Sequence, residues 1–270
     1  MDAPLLVGID GSIASRAAIT WALARAASSQ VDVELLMVVD NEWGTIGDPS
    51  LRELRESAEQ LAERELEFAR ESASSARVRV ALASGNPMLT LSGESTEFGL
   101  VAIGTHKLGY FHGHALGSRS LQLAVLAPVP VAVVPVVTAR GRRGVVVGVG
   151  DAPGWGPIVR FAASEALTLD EPLVLLRAGE RGEAGDERMT RAAQLASDAE
   201  PDLRIELRHA ESAPGEALSA ASRRAVVTVS GRPTAAGNHS FRPLGRANSD
   251  LLMNLGGPAI LVPQFVEAPV

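Results

Sequence analysis

The segment GTHKLGYFHGHALGS, residues 104–118, carries residue types that bind phosphate. Glycines let the main chain approach a ligand closely. A serine hydroxyl donates to a phosphate oxygen. A helix opening at Gly117-Ser118 turns free amides and the positive end of its dipole toward an anion. Far upstream, Asp10-Gly11-Ser12 follows the apolar run Leu5-Leu6-Val7-Gly8-Ile9. Ligands of open parallel sheets bind beyond the carboxyl ends of the strands, and Asp10 stands at such an end.

The elements that must position these residues can be read in order. Residues 5–9 are apolar on both sides, as a central parallel strand requires. A helix follows, capped by Ser12 or Ser15, with Ala14, Ala17, Ala18, Trp21 and Ala24 as its apolar face. Residues 34–39 are a second strand, and residues 49–73 form a charged, helix-favouring stretch. Residues 78–82 are a third strand. Gly85-Asn86-Pro87 starts another helix, with proline in its first turn. Residues 100–103 are a fourth strand, and a helix runs from Gly117-Ser118 to about Leu126. Residues 130–135 are a fifth strand, whose prolines at both ends suggest an edge. Strands alternating with helices at this spacing imply a mostly parallel sheet with helices on both faces.

Residues 138–143 read as a solvated linker, and the order then repeats. Gly148 matches Gly8, and Phe161-Ala162 matches Trp21-Ala22, at an offset of 140. Near the end, Gly245 and Pro263 match Gly117 and Pro135 at an offset of 128, because the second copy has lost residues around its second helix. Two domains are therefore expected, at residues 1–138 and 144–265. The second copy is worn. Gly150 stands at the place of Asp10, Ser230-Gly231 replaces the start of the glycine loop, and Arg246 stands at the place of Ser118.

The order of apolar strand, Asp-Gly-Ser, long helix, glycine-rich loop, Gly-Ser and proline-flanked strand resembles the universal stress protein family. The resemblance covers nearly all of residues 3–136 and, more weakly, 144–264. ATP-binding members carry G-x2-G-x9-G-[S/T], and this chain has Gly104, Lys107 and Gly117-Ser118 at those spacings. The resemblance implies two tandem Rossmann-like α/β domains of the adenine nucleotide alpha hydrolase type, each a five-stranded, mostly parallel sheet. It implies an adenine nucleotide, ATP with Mg²⁺, in the first domain. Asp10 would meet the adenosine portion and the backbone of Val38 the adenine edge, while Gly104, Gly117 and Ser118 would cradle ribose and phosphates. Lys107 departs from the pattern. If that position needs positive φ, lysine weakens the site; if its ammonium swings onto the phosphates, it strengthens binding. The family also pairs domains through their fifth strands. That implies an intramolecular pseudo-dimer, with further pairing into a homodimer.

Other chemistries find little support. Gly104-x4-Gly109 is followed by Tyr110 where a P-loop needs lysine, and Gly-x-Ser-x-Gly is absent. The near-match to a dinucleotide fingerprint at Gly148-x-Gly150 lacks its third glycine. His106, His112 and His114 share a loop without an evident carboxylate, so no metal site is expected. No residue reads as a general base poised over a γ-phosphate, so binding with slow or no turnover is expected rather than an enzyme. The readings left beside ATP binding are a nucleotide-free protein acting through dimer or partner contacts, and a slow ATPase. The chain of 270 residues has a net charge of −7 and no cysteine. The charge argues against nucleic acid and anionic membranes as partners, and the lack of cysteine excludes disulfides and thiolate chemistry. The opening residues show no basic segment leading into a long apolar run, so a cytoplasmic protein is expected.

Overall fold

The computed structural model describes residues 3–40, 48–73, 76–106, 118–137, 140–235 and 243–266. Two units divide between Val136 and Val137. The first follows the order β1 (Leu5–Ile9), α1 (Ile13–Ser29), β2 (Val33–Val39), α2 (Asp48–Ser72), β3 (Val78–Ser84), α3 (Pro87–Glu94), β4 (Leu100–Thr105), α4 (Ser118–Leu126) and β5 (Val131–Pro135). Its strands lie in the order β3-β2-β1-β4-β5, and every pair is parallel. The continuous apolar runs are explained by burial on both faces: Leu5, Leu6, Val7, Leu35, Leu100 and Val101 are all inaccessible or nearly so.

Helices cover both faces. Gly8 and Ile103 are register partners, so they share a face, and a Cβ on Gly8 would meet Leu91 of α3. Gly104, one residue on, points the other way, toward Ala14 of α1. α1 packs beside α2, and α3 beside α4.

Ser12 is the cap of α1, its hydroxyl accepting from the Ser15 amide at 3.1 Å, and Ser15 lies buried inside the helix. The buried stripe of α1 is Ala14, Ala18, Ile19, Ala22, Leu23 and Ala26. The expected apolar face was turned too far, since Ala24 is exposed and Ala17 and Trp21 are only half-buried. Rows spaced by four from Ala14 and Ser15 face the sheet, and the alanine pattern alone could not choose between neighbouring rows. Asn86 caps α3, with Pro87 in its first turn.

The second unit repeats the plan: β6 (Val145–Gly148), α5 (Trp155–Thr168), β7 (Leu173–Ala178), α6 (Glu183–Ala199), β8 (Ile205–Ala210), α7 (Pro214–Ser222), β9 (Val227–Ala235), α8 (Arg246–Met253) and β10 (Ala259–Val266). Its strand order is β8-β7-β6-β9-β10, again all parallel. The shortening falls where the sequence offset changes, since α6 has 17 residues and α2 has 25. Arg142, expected in a solvated linker, is instead part of the second unit. Its guanidinium donates to the carbonyls of Ser222 at 2.7 Å, Ala225 at 3.1 Å and Gly256 at 2.5 Å. The first two bonds satisfy carbonyls at and just past the end of α7 that the helix itself leaves open, and the third ties in the segment before β10.

Candidate functional site

Strand order reverses between β1 and β4, where their following helices leave for opposite faces. That is the crevice in which open α/β sheets hold ligands. A cleft of about 130 Å³ opens there, walled by Asp10, Ser12, Val38, Met88, Leu91 and Gly104, with His106 and Ser120 at its edge.

Asp10 is held by the turn that follows β1. Its Oδ1 accepts from the Ser12 amide at 3.0 Å. Burial pushes the Asp10 carboxyl up. The Ser12 hydroxyl and amide, the Ser15 hydroxyl and the nearby His106 together outweigh burial and hold it below its ordinary value. It is therefore an ionised acceptor at neutral pH, suited to ligand hydroxyls or amines.

The turn is fixed from above by α2. Gly11 has φ of +75°, which glycine adopts without strain. A Cβ there would also lie 2.8 Å from Leu61 of α2. Arg16, in the first turns of α1, donates to both oxygens of Glu65 at 2.9–3.1 Å and lies 4.8 Å from the centre of the Phe68 ring. The Glu65 side chain is 0% exposed, so this pair ties α2 to the helix that begins at the Asp10 turn. The sequence marks this stretch only as charged and helix-favouring; the pairing of residues 49 apart was the part no local pattern revealed.

Val38 lies beyond the last β1–β2 register pair, Ile9↔Met37, which leaves its backbone at the mouth of the cleft. Gly104 lines the cleft and has a second duty. A Cβ on it would sit 2.0 Å from the Ala14 carbonyl oxygen, so glycine is what lets α1 close on β4. Lys107 and Gly117 lie outside the described residues, and Ser118 is described as the first residue of α4. The structure thus brings Asp10, Val38 and Gly104 together. It adds Met88, Leu91, His106 and Ser120, which sequence reasoning did not assign to the site. Asn86-Pro87 and the short Gly104-to-His106 interval were the available signals. Among the described residues no His, Cys, Asp and Glu cluster could hold a metal ion, and no helix is long and apolar enough to cross a membrane.

In the second unit the corresponding turn carries no carboxylate at the Asp10 place, and α5 starts at Trp155 with Gly154 as a cap that lacks a side chain. By register Gly231 is the counterpart of Gly104, since Val229 pairs with Val147 and Ser230 is next in line beside Gly148. Here too a side chain would crowd the helix, but against the end of the Ile158 side chain of α5, 2.1 Å from where a Cβ on Gly231 would stand, rather than against helix backbone.

These features define a Rossmann-like α/β protein with a cleft at the strand-order switch. Residues 3–135, the span of the first unit, match the model of the universal stress protein family, and that unit belongs to the family. A universal stress protein of Mycolicibacterium smegmatis is 34% identical over 136 residues, a match covering 48% of this chain and 45% of that protein. One from Mycobacterium tuberculosis is 28% identical over 207 residues, covering 74% of this chain and 75% of the relative. The crystal structure of a universal stress protein from Archaeoglobus fulgidus shares the fold across 96% of this chain and 98% of its own, with a TM-score of 0.79 at 19% identity.

Proposed function

We propose that the first unit binds ATP, with Mg²⁺, and that the protein is a nucleotide-dependent regulatory module of stress response rather than an enzyme. The observation that carries this reading is the Asp10 carboxylate, held by the Ser12 amide in a cleft that Val38 and Gly104 also line. Asp10 would accept from the ribose, and the Val38 backbone would meet the adenine edge between the apolar walls of Met88 and Leu91. Gly104 would give close approach, and Gly117, Ser118 and the Lys107 ammonium would hold the phosphates. In this reading the domains are residues 1–138 and 144–265, an intramolecular pseudo-dimer that can form homodimers in the cytoplasm.

Hydrogen exchange of the full chain with and without ATP and Mg²⁺ tests the proposal. Protection of the end of β2 and of residues 104–118 is expected. Equal exchange in both states at saturating ATP contradicts it. A nucleotide-free reading has one observation in its favour: about 130 Å³ is small beside ordinary ligand clefts of roughly 300–1,000 Å³.

A further inference from the structure

The second unit has a cleft at the equivalent place, where β6 and β9 part, and its two ends have exchanged character. It measures about 270 Å³, twice the volume of the first. Gly150 lines it and is exposed, with nothing within 4 Å of where a Cβ would stand.

The end that would receive phosphates is filled by the protein's own polar groups. Asn248 of α8 accepts from the Ser230 hydroxyl at 2.7 Å. Its amide donates to the carbonyls of Gly231 at 2.9 Å and Leu244 at 3.0 Å. Gln264 of β10 donates to the Pro153 carbonyl. Groups satisfied by one another offer an incoming phosphate little.

The opposite end is charged. Register places Arg177 of β7 where the first unit has Met37, since Gly148 pairs with Leu176 as Gly8 pairs with Leu36. His209 faces Arg177 as Leu82 faces Met37. The Arg177 side chain is only 11% exposed. It is pinned against α6, for a Cβ on Gly185 would lie 2.4 Å from its Nε. Arg177 Nη1 donates to Asp151 Oδ1 at 3.1 Å, and Arg188 of α6 donates to the same oxygen. One carboxylate, 76% exposed, therefore serves two guanidinium groups through a single atom. A guanidinium pair presents a fork matched to a bidentate oxyanion. Asp151 can swing into water at little cost because it is already mostly there.

We propose that this cleft is a second ligand site, for a small organic anion with an apolar body. Its carboxylate or phosphate group takes the place of Asp151 on Arg177 and Arg188, and its body lies against Leu176, Ala178, Pro214 and Leu218. It is not a copy of the first site, because its charge sits at the end where the first site would place a base. It does not depend on nucleotide binding in the first unit.

Trp155 lines the cleft and reports on it. Its indole N–H signal in the full chain would be followed by NMR during titration with phenyl phosphate, benzoate and inorganic phosphate. A saturable shift with an aryl anion is expected, with weaker binding of inorganic phosphate, which lacks the apolar body. Comparing the two aryl probes tells phosphate from carboxylate preference. Arg177→Met, which installs the first unit's residue, and Arg188→Gln should each weaken binding about tenfold or more. Asp151→Asn removes the competing carboxylate and should tighten binding several-fold, a direction that misfolding cannot produce. No saturable shift in either wild type or Asp151→Asn overturns the proposal. So does a response to ATP alone, or affinity unchanged by Arg188→Gln in a folded protein.

Discussion

Replacing Gly104 with alanine separates packing from ligand contact. The new Cβ would lie 2.0 Å from the Ala14 carbonyl oxygen, 2.1 Å from its carbon and 2.7 Å from the Ser15 nitrogen. All three are backbone atoms of α1, so no side-chain rotation relieves the clash. α1 must retreat from β4 by about 1 Å, and overpacking of this kind costs roughly 1–3 kcal/mol or more. Gly8→Ala is the matched control: its Cβ would meet the Leu91 side chain at 2.9 Å, a flexible group, and should cost less. Gly150→Ala meets nothing within 4 Å and should be close to neutral. Because the chain has two units, a single melting curve would mix their transitions. Hydrogen exchange resolved by peptide gives the opening free energy of β4 and α1 against β9 and α5. Losses confined to the first unit are expected for Gly104→Ala and, smaller, for Gly8→Ala, with Gly150→Ala leaving both units close to wild type. ATP affinity should fall with Gly104→Ala, since the Asp10 turn rides on the start of α1. A Gly104→Ala protein as stable as wild type within about 0.5 kcal/mol would refute the packing argument.

Asp10→Asn should weaken ATP binding about tenfold by calorimetry, because an ionised acceptor makes the stronger hydrogen bond. The same carboxyl has a folded-state pKa below its ordinary 3.8, so it contributes stability that is present above that value and lost as pH falls through the folded value. Acid unfolding of the first unit below pH 3.8 should accordingly be shallower in Asp10→Asn than in wild type. Glu65→Ala removes the buried partner of Arg16 and should cost roughly 2–3 kcal/mol by denaturant titration, less than a fully buried pair because Arg16 retains access to water. Lys107→Gly should lower ATP affinity, and a rise would mean that the lysine obstructs the site.

Much of this was legible in the chain itself because the signals are local. Leu5-Leu6-Val7-Gly8-Ile9 is β1, Asn86-Pro87 opens α3, and Ser118 begins α4 as its Gly-Ser signature required. Asp10 was readable because it stands at a strand end, where open sheets gather ligands; Val38 and Gly104 entered through the family resemblance, and the cleft is lined by all three. What stayed hidden depends on contacts between distant segments. Gly104 reads as a glycine for phosphate, yet its tightest contact is with α1. The Arg16–Glu65 tie and the Arg142 bonds join residues no periodicity links. Arg177 lies in an ordinary apolar strand by sequence, and only the register of β6, β7 and β8 sets it beside Asp151 and His209. The rotated face of α1 is a subtler case, since a helix this rich in alanine offers several equally apolar stripes.

The central claim is tested most directly by calorimetric titration of the nucleotide-stripped full chain with ATP and Mg²⁺, repeated on a Gly117→Ala/Ser118→Ala variant. Saturation near one ATP per chain, lost in the variant, is the predicted result. No heat at several temperatures, together with no nucleotide released when the protein as isolated is denatured, would contradict it.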